Sequence, residues 1–213
     1  MKKILFISVA LVCSTAAAED IRQYVSAKGT VIRMENKLSS TYGNYGFGRS
    51  KDKTLGGFRA AYGLDFPIAV TNGHLRGEIE YGYNSKSKIN GRFLNNAPVS
   101  NQVKTQFIML NAYYDFTNST DFTPYVGAGI GYARLKANSQ VDYQSFSKKK
   151  NNFIWNLGVG VAYEVTPNIS LDVGYRYVNY GKVSSATNIY SRPVNARSKL
   201  KAHEFNFGIR YTF

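Results

Sequence analysis

One cysteine, Cys13, occurs in the 213 residues, which excludes a disulfide framework and any zinc site built on several cysteines. Histidine is nearly absent too, with only His74 and His203. Neither has a second histidine at metal-ligand spacing, and no phosphate-cradling glycine loop or nucleophile elbow occurs. No cofactor is therefore expected. Beyond the first 20 residues no segment reaches the run of about 20 apolar residues that a membrane helix needs. Aromatic residues are not scarce: 17 Tyr, 13 Phe and one Trp argue against a disordered chain. A formal charge of +14 leaves two broad classes, an all-β protein or a basic nucleic-acid-type domain.

The N-terminus separates them. Lys2 and Lys3 precede an apolar stretch, Ile4 to Val12, and Ala16-Ala17-Ala18 offers a small-residue cleavage site. These three regions in order form a secretory signal, expected to span residues 1–18, with 19–213 as a single domain. Export argues against a nucleic-acid partner.

Period-two alternation then recurs along the chain, the mark of strands with two unlike faces. Strand 2 (54–66) sets Phe58, Ala60, Tyr62, Leu64 and Phe66 against Arg59, Ala61, Gly63 and Asp65. Strand 3 (75–83) sets Leu75, Ile79, Tyr81 and Tyr83 against Arg76, Glu78 and Glu80. Strand 7 sets Ile169, Leu171, Val173, Tyr175 and Tyr177 against Asp172, Gly174 and Arg176. The last strand sets Phe205, Phe207, Ile209, Tyr211 and Phe213 against Glu204, Asn206, Gly208 and Arg210. Strands at 106–116 and 153–165 alternate likewise, while 23–33 and 125–135 do so less cleanly. Long polar stretches at 34–53, 84–104, 134–152 and 181–201 alternate with short turns at 67–73, 117–123 and 166–168. Eight antiparallel strands follow, with four long loops at one end and three turns at the other. Pro98 and Pro193 are expected in loops.

The charges decide what surrounds the barrel. A soluble barrel hides its apolar face inside. Here one face is almost uncharged, and the other mixes Lys28, Arg59, Arg76, Arg176 and Arg210 with Asp65, Glu78, Glu80, Asp115, Glu164, Asp172 and Glu204. An eight-stranded barrel has room inside only for side chains, so these charges are expected to neutralise one another in the lumen. Arg59 should approach Glu80 across the strand 2–3 hairpin if Phe66 pairs with about His74. Arg176 and Asp172 could share the same network. The apolar face, with aromatics near the strand ends, fits lipid. The expected fold is thus an eight-stranded, up-and-down transmembrane β-barrel.

The runs Asn111-Ala112-Tyr113-Tyr114-Asp115-Phe116 and Pro124-Tyr125-Val126-Gly127-Ala128-Gly129 resemble the outer-membrane surface-antigen barrels of Gram-negative bacteria, the opacity or Opa-type family, also called opacity-family porins. Thr166 to Tyr177 and His203 to Phe213 carry the same resemblance. It implies an outer-membrane location and raises adhesion as an activity. The terminal strand, with Phe205, Phe207, Ile209, Tyr211 and Phe213, resembles the signal read by the barrel-insertion machinery.

The four long stretches hold 18 basic and three acidic residues, whereas the rest of 19–213 holds seven basic and ten acidic ones. Lys148, Lys149 and Lys150, and the set Arg197, Lys199 and Lys201, are the densest clusters. Two readings stay open: pairing with lipopolysaccharide beside the membrane, and contact with host sulfated glycans or receptors. Catalysis is not expected, because neither histidine is paired with a serine and a carboxylate. The expected role is a surface antigen serving adhesion or envelope integrity, with a narrow porin-like channel for small solutes or ions as the alternative.

Overall fold

The computed structural model describes residues 21–42, 45–68, 73–92, 98–141, 144–189 and 192–213, with side chains for 21–35, 52–68, 73–85, 104–136, 149–181 and 200–213. The expected leader and Cys13 lie outside these residues. Eight antiparallel strands run in order: β1 (Arg22–Tyr42), β2 (Tyr45–Ile68), β3 (Gly73–Arg92), β4 (Pro98–Phe116), β5 (Phe122–Val141), β6 (Gln144–Thr166), β7 (Ile169–Ile189) and β8 (Arg192–Thr212). Each pairs with its neighbours in the chain, and β8 pairs with β1 to close the barrel. Closure leaves no lateral edge at membrane depth, so every backbone donor there meets a partner within the protein.

The period-two pattern maps onto two walls. Phe58, Leu110, Ile130, Leu157, Val173 and Phe207 point outward and are each about half exposed. Their strand neighbours Arg59, Asn111, Gly129, Asn156, Asp172 and Asn206 are buried inside. A wall this apolar and this open needs hydrocarbon against it.

The four long polar stretches are not loops over most of their length. β1 and β2 stay paired from Arg22↔Asp65 through Met34↔Lys53 to Tyr42↔Tyr45. β5 and β6 likewise remain paired out to Val141↔Gln144. Pro98 and Pro193 accordingly sit at the first and second positions of β4 and β8 rather than in loops. The physical reason lies in the signal itself. Alternation is visible only while the two faces meet different solvents, and both faces of these segments are polar. Only about 9–11 tilted residues are needed to cross the hydrocarbon, so strands of 19 to 24 residues carry the ladder well past it.

Beyond the membrane the barrel divides. The last β2–β3 pair on this side is Gly57↔Asn84, and the last β6–β7 pair is Trp155↔Asn179. The other six pairings continue outward, so the projecting ends form two four-stranded sheets, β7-β8-β1-β2 and β3-β4-β5-β6. Among the described residues no pair joins the two sheets above those seams.

The β2–β3 hairpin pairs Phe66 with Leu75, one residue from the expected register. Arg59 and Glu80 still approach, at 4.0 Å.

Candidate functional site

The lumen is filled in tiers. Nearest the short turns, Arg76 grips Asp115 through Nε at 2.6 Å and Nη2 at 2.8 Å, and Arg210 approaches the same carboxylate at 3.7 Å. Rings of Tyr24, Tyr113 and Tyr125 surround the Arg76 guanidinium at 4.8 to 5.7 Å. Glu78 accepts from the Tyr113 hydroxyl (2.9 Å), the Tyr24 hydroxyl (3.1 Å) and the Asn111 amide (3.2 Å), with Lys28 at 3.7 Å. The Tyr125 hydroxyl donates to Asp172 at 2.5 Å.

Above this tier Arg176 bridges two carboxylates, Glu80 through Nη1 and Glu204 through Nε, both at 2.8 Å. Glu204 also accepts from Arg59 Nη2 at 3.1 Å and from the Tyr180 hydroxyl at 2.8 Å. Arg59, Glu80 and Glu204 are at most 1% exposed. Charges buried so deeply are tolerated only because each faces an opposite charge and further hydrogen bonds. Of the twelve charged residues expected in the lumen, eleven lie buried inside the barrel, whereas Glu164, three residues before Pro167 at the short β6–β7 turn, is exposed. Arg176 and Asp172, however, are held by different partners.

The lumen is not polar throughout. Ile32, Leu55, Phe107, Met109, Ala133, Ile154, Val178 and Ala202 form one apolar cluster on its outer side, with Met34 and Leu200 packed against it. The Phe107 ring forms its floor and lies 4.6 Å from the Arg59 guanidinium. Between the tiers a gap of about 20 Å³ remains beside Lys28, Glu80 and Asn156, room for about one water.

Inward-pointing glycines make this packing fit. A Cβ at Gly63 would collide with the Tyr24 ring, and one at Gly82 with the Phe107 ring. The sequence places several aromatics on the charged face without showing that glycine seats receive them. Tyr24, Tyr125 and Tyr180 are lumen residues that alternation in their weakly patterned segments did not reveal. The signal available in hindsight is the inward glycine paired across the ladder, as Tyr24↔Gly63 and Tyr125↔Gly160.

Outside, aromatic rings mark the upper border of the lipid wall: Tyr132 with Phe153, and Tyr175 and Tyr177 around His203, with Phe205 against Tyr175. His203 meets the Tyr175 hydroxyl at 2.6 Å and Glu35 at 3.5 Å. At the other end His74 meets Asp65 at 2.9 Å. Of the expected anion contacts, Lys149 is exposed and Lys150 half-buried. Lys201 lies 5.6 Å from the Tyr177 ring. The side chains of Lys148, Arg197 and Lys199 lie outside those described. Phe205, Phe207, Ile209, Tyr211 and Phe213 form an outward apolar row on β8.

A closed barrel with an apolar outer wall, a balanced charged interior and long basic ends is an outer-membrane design. Residues 4–213 match the family described as Outer membrane protein beta-barrel domain. The chain belongs to this family. It is 42% identical over 125 residues to the outer membrane protein PagN of Salmonella typhimurium, covering 54% of this chain and 52% of PagN. It is 28% identical over 132 residues to the opacity protein opA60 of Neisseria gonorrhoeae, covering 49% and 50%. The chain thus spans about half the length of the curated relatives it matches. The crystal structure of Neisserial surface protein A (NspA) aligns over 90% of this chain and 97% of that one, at a TM-score of 0.54 and 22% identity. The protein is an outer-membrane barrel of the Gram-negative type.

Proposed function

We propose that this barrel is a non-enzymatic surface protein of the adhesin type, which holds anionic polysaccharide at its outer end. The observation that carries this reading is the segregation of charge. The four outer segments hold 18 basic residues against three acidic ones, while the rest of 19–213 is net negative. The ladder lifts the outermost of those residues up to roughly 25 Å beyond the lipid, taking about ten residues of strand at about 3.3 Å each and a 35–45° tilt. Lys148, Lys149, Lys150, Arg197, Lys199 and Lys201 are the contacts assigned to a sulfated glycan of a host surface. Resemblance to the opacity proteins supports the same role, and lipopolysaccharide beside the barrel is its second anionic partner. The β8 row ending in Phe213 is assigned to recognition by the barrel-insertion machinery.

A narrow channel is the weaker reading, because the apolar cluster and the ion-paired tiers fill the described lumen. Retention of the refolded barrel on heparin tests the adhesion reading. Binding should be firm at about 0.05 M salt and lost near 1 M, where the screening length falls to about 3 Å. Glutamine at the six named positions should abolish it. Retention that ignores salt, or survives those substitutions, refutes the assignment.

A further inference from the structure

Three neighbouring strands carry a lysine at the same height on the outer wall. Lys104 of β4 stands opposite Lys136 of β5, and Lys136 stands opposite Lys149 of β6. All three occupy outward positions, in phase with Ile108, Tyr132 and Phe153 on the same strands. Directly opposed residues have Cβ atoms about 5 Å apart, and like charges at that spacing oppose strand pairing. Among the described residues none of the three, nor the exposed Arg134 beside them, has an ion-pair or hydrogen-bond partner. The ladder thus bears a cost that none of the described residues relieves.

The next row toward the lipid is Gln106, Arg134 and Asn151, again in register across the three strands. Below it come Ile108, Tyr132 and Phe153, the last two meeting edge to face at 5.9 Å. Beneath the rim formed by Gln106, Arg134 and Asn151 opens an apolar groove of about 670 Å³, walled by Ile79, Ile108, Leu110 and Ile130. From outside inward the wall therefore reads cations, polar donors, aromatic rings and hydrocarbon groove.

We propose that this wall is a binding site for one phosphorylated, acylated glycolipid of the outer leaflet. Lys104, Arg134, Lys136 and Lys149 hold the phosphate, Gln106 and Asn151 meet the sugar, and an acyl chain lies in the groove. The pairing of a multivalent cationic row with an apolar groove directly below selects the occupant. A sulfated polysaccharide satisfies the row and leaves the groove empty, whereas a neutral lipid does the reverse. This inference rests on the lipopolysaccharide part of the reading above and gives that partner its place on the wall; Lys149 is shared with the polysaccharide contacts, so the test leaves it unchanged.

The test uses the full chain in zwitterionic detergent, with bound lipid counted by native mass spectrometry. The probes are bisphosphorylated lipid A, its dephosphorylated form and its deacylated headgroup. The wild type should retain one bisphosphorylated molecule and bind the other two far more weakly. The triple variant Lys104→Gln/Arg134→Gln/Lys136→Gln should bind roughly a hundredfold more weakly, from about fivefold for each of the three basic side chains removed at an anionic surface. Without lipid it should be at least as heat-stable as the wild type, and with lipid A it should gain less. Its heparin retention should stay unchanged, which separates this site from the adhesion reading. Equal retention by wild type and variant would overturn the proposal, as would equal binding of the dephosphorylated lipid. A variant less stable than the wild type without lipid would also overturn it, since the row would then be a structural element.

Discussion

Glu204 is the acceptor on which the upper charged tier converges, so Glu204→Gln is the sharpest probe of how the lumen is held. The side chain receives Arg59 at 3.1 Å, Arg176 at 2.8 Å and Tyr180 at 2.8 Å, and it has no measurable exposure. In the native tier two guanidiniums, Arg59 and Arg176, face two carboxylates, Glu80 and Glu204. Glutamine keeps the shape and removes one negative charge, leaving two buried cations with Glu80 alone. Breaking a buried ion pair in this way costs about 3–5 kcal/mol. With a urea dependence of about 2 kcal/mol per molar, the unfolding midpoint falls by roughly 2 M. Trp155 is the chain's sole tryptophan and lies on the outer wall 5.7 Å from the Tyr177 ring, so its fluorescence reports the transition. A second variant isolates charge balance from lost hydrogen bonds. Adding Arg59→Met to Glu204→Gln leaves Arg176 matched to Glu80 at 2.8 Å, and most of the midpoint should return. If Glu204→Gln moves the midpoint by less than about 0.3 M, or if the double variant is no better than the single, charge pairing is not what holds this tier.

Other outcomes follow from the same geometry. Gly63→Val should block formation of the compact, heat-modifiable species on gels, because its side chain would occupy the seat of the Tyr24 ring; Gly77→Ala, which meets no atom within 4 Å, is the silent control. Val173→Arg on the outer wall should cost about 2–4 kcal/mol and sharply lower insertion into vesicles, whereas normal insertion would remove Val173 from the lipid face. In planar bilayers the wild type should show no reproducible unit conductance. Stable steps at physiological salt would mean that the cluster around Phe107 and Met109 opens.

The membrane-spanning half of the fold was legible because its two faces meet different media. Phe58 against Arg59, or Val173 against Asp172, declares the wall in single-residue steps. The same logic explains what stayed hidden. In 34–42 and 45–53 both faces are polar, so a continuous ladder reads as a loop. The lumen charges could be named from parity alone, yet their partners could not. Arg176 shares a strand with Asp172 but meets Glu80 and Glu204 on other strands, a consequence of barrel tilt that parity along one strand does not carry. The apolar cluster under the outer mouth was missed for a further reason. Ile32, Leu55, Ile154 and Val178 belong to the inward face, in segments where hydrophobicity no longer distinguishes inside from outside. The outer basic residues were legible as a total, but their arrangement in rows depends on register.

The seams above Gly57↔Asn84 and Trp155↔Asn179 have a consequence for life in a crowded membrane. A closed barrel has no lateral edge to offer a neighbour, but among the described residues the two projecting sheets leave β2, β3, β6 and β7 each with one side outside the ladder. Side-chain bonds such as Gly56 N–H to Ser85 Oγ and Asn152 Nδ2 to the Tyr180 carbonyl cross the seams near their base. Open strand sides invite an identical molecule to continue the sheet, and lysine is a common natural deterrent. Arg49, Lys51 and Lys53 lie on the open segment of β2, and Lys86, Lys88 and Arg92 on that of β3. Lys148, Lys149 and Lys150 lie on β6, and Lys182 lies on β7. Ten of the 18 outer cations thus stand along the four borders where copies of the protein could zip together. Whatever those residues attract from outside, like charges along such borders are the natural deterrent to zipping one barrel onto the next.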